Sequence, residues 1–285
     1  MDRQSTTSLT LAQCVADIDR ALASGDTAQA VSLAQDGLDA GYSHPLLFHL
    51  CAIRLMQNRA PQVARTHLER ALRLAPRSPE LLTEMAGCLN ALGDYAGAQR
   101  CAADAIALAP GLAIAWYQKG YAHQMSTELD AAKDCFLEAV RLDPRAADAF
   151  ARLAHIAAGQ GHYDEAKSHA AKALVLEPRN GAAMLANAAA DIAEERLSAA
   201  QSQLDIVLSD PQALPPVRAV AAAQAGDICD AQGRVDEAFD AYRQAGETWR
   251  TYYEPHVRGA KPESALALVA RLSSSLEALP AGQWR

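Results

Sequence analysis

A 34-residue period runs through most of this chain and limits its fold more than any other feature. The segment from Ala113 to Pro144 slides onto its neighbours in both directions in steps of 34. Ala30, Ala64, Ala98, Ala132, Ala166 and Ala200 fall in register, as do Pro76, Pro110, Pro144 and Pro178. Small residues recur at Ala52, Ala86, Gly120, Ala154 and Ala188, and turn glycines at Gly25, Gly93 and Gly161. Each unit reads as two helices. The first carries a large apolar residue at its fourth position: Phe48, Leu82, Trp116, Phe150, Met184. A Gly-Asp-like turn follows. The second helix has anchors three and four residues apart, such as Ala132, Phe136, Ala139 and Val140, which make one apolar stripe. The recurring alanine falls where the two helices cross closely, and a bulkier side chain there would overpack the contact by about 1–3 kcal/mol. The recurring proline ends the second helix, because it has no N–H and disfavours α geometry in the residue before it. Ser78-Pro79 then reads as the N-cap and first residue of the next hairpin.

Composition agrees with stacked helices. Half of the 285 residues are apolar but only 5% are aromatic, and alanine supplies much of the remainder. Few β-branched residues and many small ones disfavour a sandwich or barrel. The formal charge of −8 supplies no global field for a phosphate backbone, so nucleic acid is not expected as the main partner. No stretch approaches the roughly 20 apolar residues of a membrane-spanning helix. The opening MDRQSTTSLTLAQ lacks the apolar core of a signal peptide, so a cytoplasmic location away from membranes is expected. The six cysteines (Cys14, Cys51, Cys88, Cys101, Cys135, Cys229) contain no C-x-x-C pair and read as small core residues.

The spacing resembles the tetratricopeptide repeat. The family's positions 4, 7, 8, 11, 20, 24, 27 and 32 are met by Trp116, Lys119, Gly120, His123, Ala132, Phe136, Ala139 and Pro144. Lys119 and His123 replace the usual Leu and Tyr, so looser packing is expected at those two points. Strict register places repeats at 11–44, 45–78, 79–112, 113–146, 147–180 and 181–214, after an N-terminal tail of residues 1–10. Tyr42 stands where the first repeat should carry proline, and Glu195 replaces the turn glycine of the sixth. The segment Pro211–Pro216 breaks the period by four residues, as an ordered loop or a hinge. A seventh repeat follows at 219–252, with Gly226, Gly233, Ala238, Tyr242 and Ala245 in place. Residues 253–285 read as a capping helix, Pro262 to Leu279, and a tail or junction. The expected fold is all-α: a tetratricopeptide solenoid, or α-α superhelix, of about seven hairpins with a C-terminal cap.

The resemblance implies a protein- or peptide-binding scaffold without catalytic activity, whose first helices line a concave groove. Mapping positions 2, 5, 6, 9 and 12 of those helices gives His49, Leu50 and Ile53 in the second repeat and Glu80 and Glu84 in the third. The fourth offers Tyr117, Gln118, Tyr121 and Gln124, and the fifth Asp148, Arg152 and His155. Two tyrosines and an arginine are the residue types that dominate interface energetics. The alternative is that they pack on a neighbouring helix. The basic and asparagine clamp with which some family members hold C-terminal carboxylates is missing, since Val15, Asp19, Glu80 and Glu84 occupy those places.

Motifs for chemistry are scarce. The chain lacks phosphate-loop, dinucleotide, nucleophile-elbow and H-E-x-x-H patterns, so no cofactor or metal is expected. Asp17-Ile18-Asp19 lies within a predicted helix, where its carboxylates diverge, and His155, His162 and His169 straddle a turn. A second resemblance lies at the C-terminal end. Ala238–Ala245, Tyr252–Pro255 and Pro280–Arg285 are similar to the junction in bacterial proteins that join these repeats to a sulfotransferase domain. That similarity implies a substrate-recognition region whose catalytic domain is absent from this chain.

Overall fold

A computed structural model describes residues 10–257, which form fourteen helices and no strand. The chain divides into two compact units after Ile156. The first holds α1 (Leu11–Ala23), α2 (Thr27–Asp39), α3 (Pro45–Gln57), α4 (Pro61–Leu74), α5 (Pro79–Leu92), α6 (Tyr95–Leu108), α7 (Ala113–Met125) and α8 (Leu129–Leu142), and most of α9 (Ala147–Gly159). The second holds α10 (Tyr163–Leu176), α11 (Gly181–Ala193), α12 (Leu197–Ser209), α13 (Pro215–Ala231) and α14 (Val235–Val257). The capping helix expected at 262–279, the tail at 1–9 and the stretch Pro280–Arg285 lie outside the described residues.

Local chemistry sets the helix starts. Thr10 and Gln13 form a reciprocal capping box on α1. Asp26, Asp94 and Asn180 accept from the backbone N–H of Gln29, Gly97 and Ala183 at 2.9, 2.9 and 3.0 Å. Pro45, Pro61 and Pro79 occupy first helical positions, where a missing N–H costs nothing.

The turn inside each hairpin repeats its backbone even where its residue changes. Gly25, Gly93, Gly161 and Gly233 have φ of 79°, 79°, 77° and 72°. Arg59, Thr127 and Glu195 occupy the corresponding places with φ of 56°, 62° and 59°. In all seven turns the next residue's N–H donates to the carbonyl five residues back, from Asp26 to Ala21 through Arg234 to Cys229, at 2.8–2.9 Å. This closing bond satisfies a carbonyl that the helix end would leave unpaired.

Seven alanines are the fourth residues of the even-numbered helices. Ala30, Ala64, Ala98, Ala132, Ala166 and Ala200 are fully buried, and Ala238 is 3% exposed. They give the close approach that larger side chains would prevent. Gly120 shows the limit: a Cβ there would lie 2.9 Å from the Phe136 ring, so that aromatic needs a bare backbone opposite it. Trp116 is only partly buried, its indole N–H donating to the Pro110 carbonyl at 3.0 Å. The two departures from the repeat pattern both have partners. Lys119 lies over the Trp116 ring at 5.7 Å, and His123 joins Glu128 and Gln99.

The first unit's core joins Ile18, Leu47, Leu50 and Cys51 in one cluster and Phe48, Leu68, Met85 and Leu89 in another. In the second unit Met184, Leu185, Leu204 and Ile228 form the main cluster. There the four-residue break in period is absorbed by helix. After the loop at 210–214, α13 has 17 residues against 13 in α11. Four residues are about one turn, so the later side chains keep close to their expected faces. Helix α14 continues past the end of the seventh expected repeat and carries 252–255 as helix.

Candidate functional site

The residues expected to line a groove all lie in the first unit, on the first helices of successive hairpins, and they form two groups. Toward its N-terminal end, His49 on α3 is close enough to Glu80 and Glu84 on α5 to feel both carboxylates. Burial pushes the His49 imidazole below its usual pKa, and the two carboxylates oppose that shift. Glu80 accepts from the Ser78 hydroxyl at 2.8 Å; its own backbone N–H and then Ser78 hold its carboxyl low. Ile53 is partly buried. Leu50 does not fit the expectation. It is 7% exposed and packs in the core with Ile18, Leu47 and Cys51, because its side chain turns into the hairpin contact.

The second group spans α5, α7 and α9. The Arg152 guanidinium lies 4.9 Å from the Tyr121 ring centroid. Tyr117, one turn earlier, has its ring 5.7 Å from Phe136, which is fully buried. Tyr117 is therefore half core and half surface, while Tyr121, also partly buried, lies under the guanidinium. Desolvation raises its phenol pKa, while Arg152, which also hydrogen-bonds it, pulls the other way and Asp148 adds to the rise. His155 is exposed, and its imidazole is lowered first by desolvation and then by Arg152. Gln118 ties α7 to α5: the Asn90 amide donates to the Gln118 carbonyl and to its Oε1, both at 3.0 Å. Gln124 is 7% exposed, so it belongs to the interior rather than to an open wall.

Asn90 and Gly87 are the residues that sequence mapping passed over. A Cβ on Gly87 would sit 3.1 Å from the Gln118 amide nitrogen, so the missing side chain lets α7's polar edge settle on α5. Both fall at mapped positions of the third repeat, and a complete reading of those positions would have found them.

Elsewhere the polar groups serve the fold. In the second unit Asp191 is 6% exposed and accepts from Lys167 at 2.7 Å, Arg196 at 3.0 Å and Gln203 at 2.9 Å, while Glu194 pairs with both cations. Buried charge of this kind persists only when paired. His162 and His169 flank Glu165 at 3.8 and 3.7 Å. All six cysteines are free. Burial raises the Cys14, Cys51, Cys101 and Cys135 thiols and pushes Cys88 up to about 11, so these are held as thiols rather than thiolate nucleophiles. Among the described residues no helix is long and apolar enough to cross a membrane.

Two family models, both described as tetratricopeptide repeat, match residues 55–118 and residues 113–145 and 147–180. The comparison with curated proteins gives no match. Among solved structures, a thermophilic TPR protein from Thermus thermophilus is 22% identical, covering 63% of this chain and 98% of its own, with a TM-score of 0.55. A tetratricopeptide repeat protein from Parabacteroides merdae is 17% identical over 91% of this chain and 97% of its own, at 0.58. A chain of the APC/C hetero-tetramer Cut9-Hcn1 is 12% identical over 91% of this chain and 52% of its own, at 0.65. These likenesses share the fold.

Proposed function

The chain carries tetratricopeptide repeats, and from that premise we propose that it is a non-catalytic scaffold that binds a protein or peptide segment along α3, α5, α7 and α9. The observation that carries the reading is the Arg152 guanidinium stacked at 4.9 Å over Tyr121, with the desolvated Tyr117 phenol beside it. Stacking fixes an otherwise flexible cation, so less side-chain entropy is lost when a partner binds. Tyrosine and arginine placed together are typical anchors of a recognition surface. Asn90 and Gln118 brace the helices on either side, and Glu80 and Glu84 add negative charge farther along the same series.

The test is selection of a random displayed peptide library on the full chain, followed by titration of the enriched peptides. Tyr121→Ala combined with Arg152→Ala should weaken them at least tenfold. Val175→Ala, on the exposed side of α10, should leave them unchanged. Peptides that bind the double variant as tightly as the parent would place recognition elsewhere. Tyr117 is a poor choice for this test, because truncating it also exposes the core at Phe136.

A further inference from the structure

The loop between α2 and α3 departs from the repeat, with Tyr42 where later hairpins carry Pro76, Pro110, Pro144 and Pro178. At that departure lies a cavity of about 600 Å³, bounded by the end of α2, the loop at 41–43, Phe48 and the end of α4. This is the size of a small-molecule site. Leu38 and Phe48 give it an apolar floor, and Tyr42 stands beside them.

One wall is cationic. Arg70 and Arg73 are three residues apart on α4 and therefore share a face. The Arg70 guanidinium lies 5.9 Å from the Phe48 ring centroid, and His67 tilts against the same ring at 5.9 Å. A guanidinium held over a ring keeps its N–H edges available to another acceptor. Later hairpins do not repeat this pair: Asp104 with Ala107, Glu138 with Arg141, and Lys172 with Val175 stand in the corresponding places. Arg141 is neutralised by Glu138 at 2.8 Å. Neither Arg70 nor Arg73 has a carboxylate within ion-pair distance among the described residues. The acid that shares the cavity, Asp39, accepts from Gln35 at 2.9 Å on the α2 side.

We propose that this cavity binds the phosphate monoester of a molecule that also carries an aromatic ring, with Arg70 and Arg73 holding the phosphate and the Leu38–Phe48 floor taking the ring. Two uncompensated guanidiniums match the charge of such a group, about −1.5 to −2 at neutral pH, better than that of a single carboxylate. Asp39 repels an anion from the α2 wall and so confines the phosphate to α4. A phosphotyrosine side chain and a nucleoside monophosphate both present this chemistry. The site shares no residue with the proposed peptide surface and stands independently of it.

Calorimetric titration of the full chain with phenyl phosphate, a phosphotyrosine tripeptide and adenosine monophosphate tests the assignment, with inorganic phosphate and benzoate for comparison. At least one ester should bind saturably, at least tenfold tighter than inorganic phosphate or benzoate. Arg70→Gln with Arg73→Gln should weaken that binding at least tenfold, and Arg141→Gln should leave it unaltered. Both arginines are exposed, so the double variant should melt with the parent; if it does not, Arg73→Gln alone provides the comparison. A preference for the tripeptide or for the nucleotide names the source. The assignment is overturned if no ester saturates at millimolar concentration, if the comparison anions bind equally well, or if the arginine variants bind like the parent.

Discussion

Thr127→Gly should stabilise the protein, although it removes a side chain and a hydrogen bond. Thr127 sits at φ 62° in the same turn that Gly25, Gly93, Gly161 and Gly233 make elsewhere. A left-handed conformation costs an L-residue with a Cβ about 1–2 kcal/mol, and threonine, being β-branched, adapts to it poorly. Glycine returns about 0.5–1 kcal/mol of this through its greater freedom in the unfolded chain. The threonine hydroxyl contributes little in the opposite direction. It donates only to the adjacent Ser126 carbonyl, at 2.6 Å and exposed to water. The net gain is about 0.5–1 kcal/mol. Repeat arrays need not unfold in one step, so a local readout is preferable to a global one. Native-state hydrogen exchange of amides in α7 and α8 should slow about two- to fivefold, at roughly 1.4 kcal/mol per factor of ten. The converse, Gly93→Thr, should speed exchange in α5 and α6. If Thr127→Gly accelerates exchange around its turn, or if Gly93→Thr has no effect, the claim that the turn's backbone geometry governs its residue preference is wrong.

Two further outcomes follow from packing and charge. Gly120→Ala should destabilise the first unit by about 1–2 kcal/mol in urea unfolding, because overpacking against Phe136 exceeds the gain in helix propensity; an unchanged midpoint would show that the ring can move away. His49, His67 and His155 all have imidazole pKa values below the usual 6.5, with desolvation the largest cause in each. The stabilising preference for neutral imidazole is present above pH 6.5 and is lost as pH falls through the lowered folded values, so stability should decline on mild acidification. Carbon-detected histidine titration should place these three below 6.5, and values at or above 6.5 would contradict the desolvation assigned to them.

The hairpins were legible because their determinants are local. Ala30, Ala64 and Ala98 mark the close crossings by size alone, and Ser78-Pro79 announces a helix start by what proline lacks. The candidate surface was only half legible, for a different reason. Leu50 and Tyr121 occupy neighbouring positions on the same repeat map, yet one faces the core and the other lies under a guanidinium. A helical position fixes a direction only to within part of a turn; the neighbour that arrives there decides whether the side chain is covered.

By itself, then, the sequence determined the period, the hairpin, the small residue at each crossing and the all-helical class, since all of these follow from spacing and steric size within a single repeat. Tertiary structure decided that Arg59, Thr127 and Glu195 adopt the glycine conformation, because the closing hydrogen bond and the packing of two helices impose it against local preference. It also decided that four extra residues become a turn of α13, and that two arginines, an aromatic floor and an atypical loop line one open cavity. Those results depend on groups far apart in the chain, whose approach is set by the shape of the elements between them.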